Sequence, residues 1–529
     1  MLPILADAQT FVPHLFWIWP FVAILLSIAI LPLLRKTHHW WEENRSKLLV
    51  ALALAAVTLL YYGFRQHGVE VHGHADEAHA AGAETAHHAD TTPADAHQPA
   101  EEPAPAEPAA TTTTDEAPAA TESHDDEVSD THHEKHFSET GWATVWAVID
   151  HAVLKEYIPF IVLLFSLYVI AGGIVVRGDL RATPLVNTCI IGTGGLLASF
   201  IGTTGSAMLL IRFLLKTNSE RKRKVHTVVF FIFVAANIGG TLLPIGDPPL
   251  FLGYLRGVNF FWTLGLWKYW ALMLAAVLFV YFLWDSYAYK REAPADITLD
   301  ETRRQPMRVA GLINVLWLLG VVAAVATLDP GTAFPGSEAI LGRAWHAPPY
   351  LREGVQLLMV VLSLVTTQKI LRTENQFNYV AIGEVACLFI GIFITMQVPI
   401  EILRAKGPEL GLNQPWQFFW ATGILSSFLD NAPTYVVYFE TACTLPPEGM
   451  QMMTGLTTGS IPIPLLIAIS CGAVFMGANT YIGNGPNFMV KAIAEQSGVK
   501  MPSFFGYMLY SGLILLPIFV VLTLVFFRG

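Results

Sequence analysis

The sequence is poor in charge and in cysteine, and it lacks the short motifs of nucleotide hydrolysis and covalent catalysis. Only 14% of its 529 residues are charged, whereas 53% are hydrophobic. We find no Gly-rich phosphate loop with its Lys, no metal-binding helix and no nucleophile motif, so neither an ATP-driven pump nor another enzyme is expected. The four cysteines lack metal-type spacing and lie in or near apolar segments, which indicates packing residues and no bound cofactor.

What the sequence has instead is a series of long apolar runs. Ten of them can cross the roughly 30 Å bilayer core, which predicts an all-α polytopic membrane protein. They cover residues 16–34, 48–64, 157–176, 227–254, 266–286, 309–327, 354–368, 379–398, 463–490 and 503–526. Gly, Pro and Asn interrupt the runs 227–254 and 463–490, which predicts two helices broken at the membrane midplane.

Two further apolar segments are too short to cross the membrane twice. Residues 182–211 have Arg and Lys on both flanks, so both ends are expected on the cytoplasmic side. Such a segment can form two half-length helices, a re-entrant hairpin whose tip lies at Thr203 to Ser206. Residues 411–440 are predicted to form a matching hairpin from the opposite face, because SFLDNAPT from Ser427 repeats the pattern SFIGTTGS from Ser199.

The chain therefore divides into two units, each with five transmembrane helices plus one hairpin. We predict an inverted repeat, in which the binding site lies where the two halves meet. Most Lys and Arg residues then lie on the cytoplasmic side and both termini are extracytoplasmic. The predicted parts are 1–64 and 141–290 for the first repeat, 65–140 for an insertion, 291–308 for a cytoplasmic linker and 309–529 for the second repeat.

The insertion at 65–140 has the composition of a disordered segment. It is rich in Ala, Thr, Pro and acidic residues and carries 11 of the 17 histidines. Such a segment cannot bury a core and is expected to be disordered outside the membrane. A metal-gathering or pH-responsive tether is one interpretation. A solvated linker is the other, and the lack of fixed ligand spacing favours it.

Three acidic side chains fall at membrane depth, where ionisable groups cost roughly 2.5–3.5 kcal/mol to insert and usually serve a function. Asp247 lies in the break of the first broken helix, and Asp430 lies at the tip of the second hairpin. Glu384 lies inside the run 379–398. We interpret Glu384 either as a proton relay or as a structural residue near the surface, and the sequence leaves both possibilities open.

Oxygen-bearing side chains surround the two aspartates and suit a hard cation such as Na⁺ or Li⁺. The first hairpin tip and the first break are predicted to form one cation site, and the second tip and second break another. The candidate ligands are Thr203, Thr204, Ser206, Asn237 and Asp247 in the first half, and Asp430, Asn431, Thr434, Asn479 and Asn484 in the second. Alternatively, Asp430 and Asn479 cap half-helices, and Asn484 and Asn487 satisfy backbone groups.

These motifs resemble those of the NhaD-type sodium/proton antiporters, within the ion transporter superfamily that includes citrate transporter-like proteins. The resemblance rests on three segments: ANIGGTLLPIGDPPLFLGYLRG from Ala236, SSFLDNAPTYVVYFE from Ser426 and GANTYIGNGPNFMVKAIAE from Gly477. It implies elevator-like alternating access and a homodimer in a bacterial inner membrane, with no nucleic-acid partner. It also places Asn237, Asp247, Asp430, Asn431, Asn479 and Thr480 on ion-site motifs. The His-rich insertion departs from the pattern.

The leading hypothesis is exchange of cytoplasmic Na⁺ or Li⁺ for external H⁺. An aspartate in such a pocket can hold either Na⁺ or H⁺ but not both, which is the minimum requirement for exchange. The competing hypothesis is Na⁺- or H⁺-coupled symport of a small anion such as citrate or a dicarboxylate, bound by half-helix N-termini. Asp247 and Asp430 disfavour symport, because they would repel an anion unless cations neutralised them. A non-transporting sensor that uses the His-rich segment is a third class.

Overall fold

The structure is a computed structural model that describes residues 11–32, 34, 36–69, 138–302, 304–330, 333–341, 343–446 and 449–528. The protein is mostly helical, at 72%. Nearly all of the predicted insertion 65–140, and with it the prediction of disorder, lies outside the described residues.

The helices of the first half run in the order of the apolar segments. They are α1 (Trp19–Ile30), α2 (His38–Glu42), α3 (Asn44–Phe64), α4 (Trp142–Ile149), α5 (Ile158–Ala171), α6 (Pro184–Ile201), α7 (Thr203–Thr217), α8 (Val225–Ala235), α9 (Pro248–Leu255) and α10 (Trp267–Tyr289). A π-helical stretch, Asp150–Tyr157, joins α4 to α5. The predicted linker contains a short helix, α11 (Pro294–Thr302).

The second half contains eleven helices of the described chain. Its helices are α12 (Ile313–Thr327), α13 (Ser337–Leu341), α14 (Leu351–Thr366), α15 (Lys369–Glu374), α16 (Val380–Thr395), α17 (Gln397–Lys406), α18 (Pro415–Phe428), α19 (Asn431–Cys443), α20 (Ile463–Met476), α21 (Gly485–Gln496) and α22 (Phe504–Phe526). Two short antiparallel ladders, which the sequence did not indicate, complete the fold. They pair β1 (Val175–Asp179) with β2 (Gln305–Ala310) and β3 (Met452–Leu456) with β4 (Gly459–Pro462).

Six helical segments of the described chain are long and apolar enough to cross a membrane, which confirms a multi-pass, all-α membrane protein. They are Asn44–Phe64, Trp142–Ala171, Pro184–Ile201, Trp262–Tyr289, Val380–Leu410 and Phe504–Phe526. Four shorter apolar helices accompany them: Leu15–Ile30, Val225–Thr241, Ile313–Thr327 and Ile463–Asn479. The predicted run 354–368 forms α14, whose first turns carry the buried polar side chains Arg352, Glu353 and Gln356.

The third long helix of each half extends beyond its predicted bounds. Residues 157–176 and 379–398 were expected to span, whereas the helical segments are Trp142–Ala171 and Val380–Leu410. The added turns contain acids that pair with arginines inside the protein. Glu156 lies 2.5 Å from Arg256, and Glu401 lies 2.5 Å from Arg65. A search for apolar runs stops at such turns because they contain charged residues. The partners that neutralise these charges are distant in sequence, so the search does not see them.

The two segments predicted as re-entrant hairpins each consist of two consecutive helices, and the connections between those helices differ. In the first, Gly202 alone joins α6 to α7 and has φ 77°, a conformation that strongly favours glycine. In the second, Leu429 and Asp430 join α18 to α19 with negative φ, so no glycine is required. The first hairpin covers 184–217 instead of 182–211, and α6 at 18 residues is about 27 Å long, longer than the half-length helix expected.

Each broken helix consists of two shorter helices, α8 and α9 in the first half and α20 and α21 in the second. The break lies between the two members of each pair. In the first, short 3₁₀ turns at Ile238–Thr241 and Pro244–Gly246 fill the break. In the second, a 3₁₀ turn at Gly477–Asn479 precedes an irregular stretch. Pro248 and Pro486 stand in the first turns of α9 and α21, where the missing N–H costs no helical hydrogen bond. The breaks therefore free backbone groups in the protein interior.

Candidate functional site

The carboxylate of Asp247 lies at the centre of a network that joins the two halves. Its side chain is 1% exposed. Asp247 Oδ1 accepts hydrogen bonds from Thr203 Oγ1 and Asn484 Nδ2, both at 3.0 Å, and Oδ2 accepts one from Asn431 Nδ2 at 2.6 Å. The three donors come from the first tip, the second break and the second tip. Within the described chain, these neutral donors are the side-chain partners of Asp247, and no Lys or Arg pairs with it.

Each hairpin meets the break of its own half, and the two halves also meet at Asp247. The first tip contacts the first break through Thr203 and Asp247. The second hairpin contacts the second break through Ser427, which bonds to Asn479 and Thr480. The contacts of Asn431 and Asn484 with Asp247 cross between the halves, and the sequence did not indicate them, because pairing across halves depends on tertiary packing. The number of ion sites stays a prediction.

Three asparagine amides of the site keep their oxygens unpaired. The side-chain oxygens of Asn237, Asn431 and Asn479 are buried with no hydrogen-bond partner in the described structure. Their nitrogens are engaged: Asn237 Nδ2 donates to Asn487 Oδ1 at 2.7 Å, and Asn479 Nδ2 donates to Ser427 Oγ at 2.9 Å. Buried acceptors without donors are costly in a fold. Oxygen atoms of this kind can bind a hard cation.

Hydroxyl groups and amides hold the broken backbone in place. Thr480 Oγ1 donates to the carbonyl of Ser427 and accepts from the N–H groups of Ile482 and Gly483. Ser199 donates to the carbonyl of Gly239 in the first half. Thr480 therefore supports the second break, and its hydroxyl hydrogen is already committed to backbone.

Close packing between the breaks and their neighbours leaves no room for side chains at two glycines. A Cβ at Gly246 would lie 2.3 Å from the carbonyl oxygen of Gly240, and one at Gly483 would lie 2.6 Å from that of Gly477. Gly246 and Gly483 directly precede Asp247 and Asn484. The backbone that presents these two side chains is thus fixed in both halves.

Asp430 has a more local environment than Asp247. It is half-buried and caps α19, because its Oδ1 accepts from the N–H of Ala432 at 3.1 Å. Thr434 donates to the carbonyl of Asp430 at 3.0 Å, which is a bond within the helix. The capping interpretation therefore describes the contacts of Asp430 in this conformation, although its charge stays beside the Asp247 network through the adjacent Asn431.

The remaining candidates make no hydrogen bond to the central carboxylate in the described structure. Thr204 lies at the first tip and is half-buried. Ser206 donates to the carbonyl of Gly194 at 2.6 Å, which joins the two helices of the first hairpin. Glu384 pairs with Lys47 at 2.8 Å and is 41% exposed. This contact favours the structural interpretation of Glu384 over a proton relay.

Sequence reasoning missed one contributor to the network, Ser427, which accepts from Asn479. Ser427 carried a usable signal, because it is equivalent to Ser199 in the repeated hairpin pattern. Asn487 was interpreted from the sequence as a residue that satisfies backbone groups. Its Nδ2 donates to the carbonyl groups of Gly477 and Thr480, and its Oδ1 accepts from Asn237.

Buried ion pairs away from the site were also missed. Asp285 accepts from Arg221 at 2.6 Å and lies 2.8 Å from His226 Nε2. Helix α9 begins beside Asp247, and Arg256 follows its opposite end. Arg256 contacts Glu440 at 3.3 Å in addition to Glu156. The arginines, histidine and acids of these clusters are distant in sequence, so no local pattern indicated them.

Long apolar helices with two breaks around an oxygen-lined centre are typical of a secondary transporter in a membrane. The chain belongs to the family described as "Putative citrate transport", whose sequence model matches residues 10–78 and 134–527. This membership indicates a secondary transporter of the citrate-transporter type, which is a non-enzymatic class. No curated protein matches the chain in sequence.

Proposed function

We propose that the protein exchanges Na⁺ or Li⁺ for H⁺ at the carboxylate of Asp247. The observation that carries the proposal is that this buried acid contacts only neutral donors and lacks a cationic partner in the described chain. An unpaired charge is expensive at membrane depth. A transported cation or a proton would supply the missing positive charge, and only one of them fits at a time.

The hydrogen-bond count supports this competition. A carboxylate offers about four acceptor positions, and Asp247 uses three of them. A Na⁺ ion would use the remaining position together with the unpaired amide oxygens of Asn237, Asn431 and Asn479. A proton on Asp247 would turn one acceptor position into a donor. The neutral side chain would then no longer attract a cation. Binding of either ion therefore opposes binding of the other.

The arrangement of the halves suggests how the site changes access. The helix order of residues 16–286 recurs in residues 309–526, and we propose that the two are inverted repeats with the site at the midplane. Asp247 joins three other segments through hydrogen bonds, namely both hairpin tips and the second break. We further propose a homodimer in a bacterial inner membrane, with extracytoplasmic termini, of the NhaD antiporter type.

Symport of citrate or another small anion is the second candidate, and the family description favours it. The helices α7 and α19 both begin at the site, at Thr203 and Asn431, and helix N-termini attract anions. Asp247 and Asp430 oppose an anion, so symport would require cations on both. Exchange requires no such compensation.

The test is fluorescence dequenching in proteoliposomes that hold an inside-acid pH gradient, with Na⁺, Li⁺, K⁺ or citrate added in turn. Dequenching by Na⁺ or Li⁺, with none by K⁺, supports exchange. Empty liposomes and the Asp247→Asn variant are the controls. If no cation dequenches, and labelled citrate accumulates under a Na⁺ or H⁺ gradient, the protein is a symporter and the exchange proposal fails.

A further inference from the structure

A cavity of about 480 Å³ lies at the opposite ends of the helices that reach Asp247. Helix α7 begins at Thr203 and α21 follows Asn484, and both residues donate to Asp247. The far ends of α7 and α21 form the walls of the cavity. Its volume falls within the range of about 300–1,000 Å³ that is typical of small-ligand pockets.

The cavity is lined by cations and neutral polar groups. Arg212, Lys216 and Lys224 contribute positive charge, and Gln376, Gln496 and Ser497 contribute hydrogen-bonding groups. Within the described chain, no lining residue is acidic. Acids outside the lining act on two of the cations, Glu220 and Glu292 on Lys224 and Glu374 on Lys216. Inside the cavity the three positive charges face one another, and a bound anion would reduce their repulsion.

Two of the cations have spare capacity. Arg212 donates from Nη2 to Gln376 Oε1 at 3.0 Å, while its Nη1 is buried and has no partner in the described structure. Lys224 donates to the carbonyl groups of Asn218 and Ser219, both at 3.2 Å, and burial lowers the pKa of this lysine. Neither contact supplies negative charge.

Gln376 lies in the cavity wall just after the end of α15. Its φ is 48°, the left-handed conformation of the residue that follows a helix C-cap. The N–H of Phe377 bonds to the carbonyl of Arg372, and that of Gln376 to Thr373, which closes this helix end. The turn places the Gln376 amide against Arg212, at the edge of the same positive cluster.

We propose that this cavity binds an anion with a phosphate group, held by Arg212, Lys216 and Lys224. Arg and Lys are the side chains that proteins use to bind phosphate. The phosphate belongs either to a free anion in solution or to the headgroup of an anionic lipid, and the same residues would bind both. Because the cavity and the Asp247 network share α7 and α21, occupancy would stabilise the helices that carry the transport site.

Isothermal titration calorimetry on the purified full-length protein in an uncharged detergent tests the proposal. Inorganic phosphate and water-soluble dihexanoyl-phosphatidylglycerol are the two probes, titrated at constant Na⁺ and constant ionic strength. Saturable binding of phosphate would assign a free anion, and binding of the lipid alone would assign a headgroup. Arg212→Gln and Lys216→Gln should each raise the dissociation constant of the bound probe about tenfold or more.

Lys222→Gln is the matched control, because Lys222 lies in the same basic loop, is 76% exposed and pairs with Asp296 outside the cavity. Its affinity should equal that of the unchanged protein. The thermal transition of each variant confirms folding, and Lys216 is exposed, so its substitution is structurally mild. The proposal is wrong if neither probe binds, or if Lys222→Gln weakens binding as much as Lys216→Gln.

Discussion

Asp247 and Asn484 occupy equivalent positions in the two halves and differ by one charge. Each follows an Ile-Gly pair inside a broken helix, at Ile245-Gly246 and Ile482-Gly483. The first is an acid and the second an amide that donates to it at 3.0 Å. The charge therefore lies in the first half, and the neutral donor lies at the matching position of the second half.

The hairpin tips show the same complementarity. Thr203 and Asn431 are equivalent in the repeated pattern, and both donate to Asp247, from opposite sides of its carboxylate. Four residues at two pairs of equivalent positions therefore make one centre. The comparison teaches that similar segments of both halves build one centre, in which the charge is carried by Asp247 alone.

The largest effect is expected from removing the charge. Asp247→Asn should reduce Na⁺-dependent proton flux to about 1% of the original or less, because the amide cannot compensate a cation and opposes the donors around it. Proteoliposome dequenching measures the flux, and the thermal transition in detergent checks folding.

The double exchange Asp247→Asn with Asn484→Asp sharpens this comparison. It returns one carboxylate to the centre from the other half, so part of the flux should recover. Full flux in Asp247→Asn alone would show that the carboxylate is not the exchange site. No recovery in a folded double variant would show that the two positions are not functionally equivalent.

A smaller effect is expected from the donors. Asn431→Ala removes the single donor to Asp247 Oδ2, whereas Thr203→Val leaves Oδ1 with Asn484. A hydrogen bond to a charged group contributes about 1.5–3 kcal/mol, so Asn431→Ala should change the apparent Na⁺ affinity about tenfold. Thr203→Val should change it less.

Initial flux measured over a range of Na⁺ concentrations gives this affinity. Thr434→Val is the control, because its hydroxyl bonds only to the carbonyl of Asp430 in the described structure. Equal changes for Asn431→Ala and Thr434→Val would contradict a special role for the contact across the two halves.

Much of the fold follows from local sequence patterns. Apolar length predicted a multi-pass helical protein, and glycine or proline interruptions located both breaks, at 236–247 and 477–484. The third helix of each half was underestimated because acids such as Glu156 and Glu401 find their arginines elsewhere in the chain. Hydropathy cannot distinguish a buried, paired charge from an exposed one.

The sequence singled out the residues of the Asp247 network, but it did not indicate which of them bond to one another. Thr203, Asn431 and Asn484 all stood out, because they are polar residues at interruptions of apolar helices. Their common partner did not, since a single carboxylate with donors from both halves exists only after the halves pack. The assignment of these residues to ion binding stays a prediction.

The smallest effect is expected at Asp430, whose equivalent in the first half is Gly202. Asn caps a helix as well as Asp does, so Asp430→Asn should keep the bond to Ala432 and the stability of the protein. The charge of Asp430 also acts on Asp247 through space, without a direct hydrogen bond between them in the described structure. Its loss should lower the Na⁺-dependent flux by about threefold. Asp430→Ala should additionally cost about 1 kcal/mol through the lost cap, seen as a lower thermal transition.

Loss of flux as complete in Asp430→Asn as in Asp247→Asn would mean that both acids exchange ions. The centre would then hold two charges, and the capping bond would be only one of the states of Asp430.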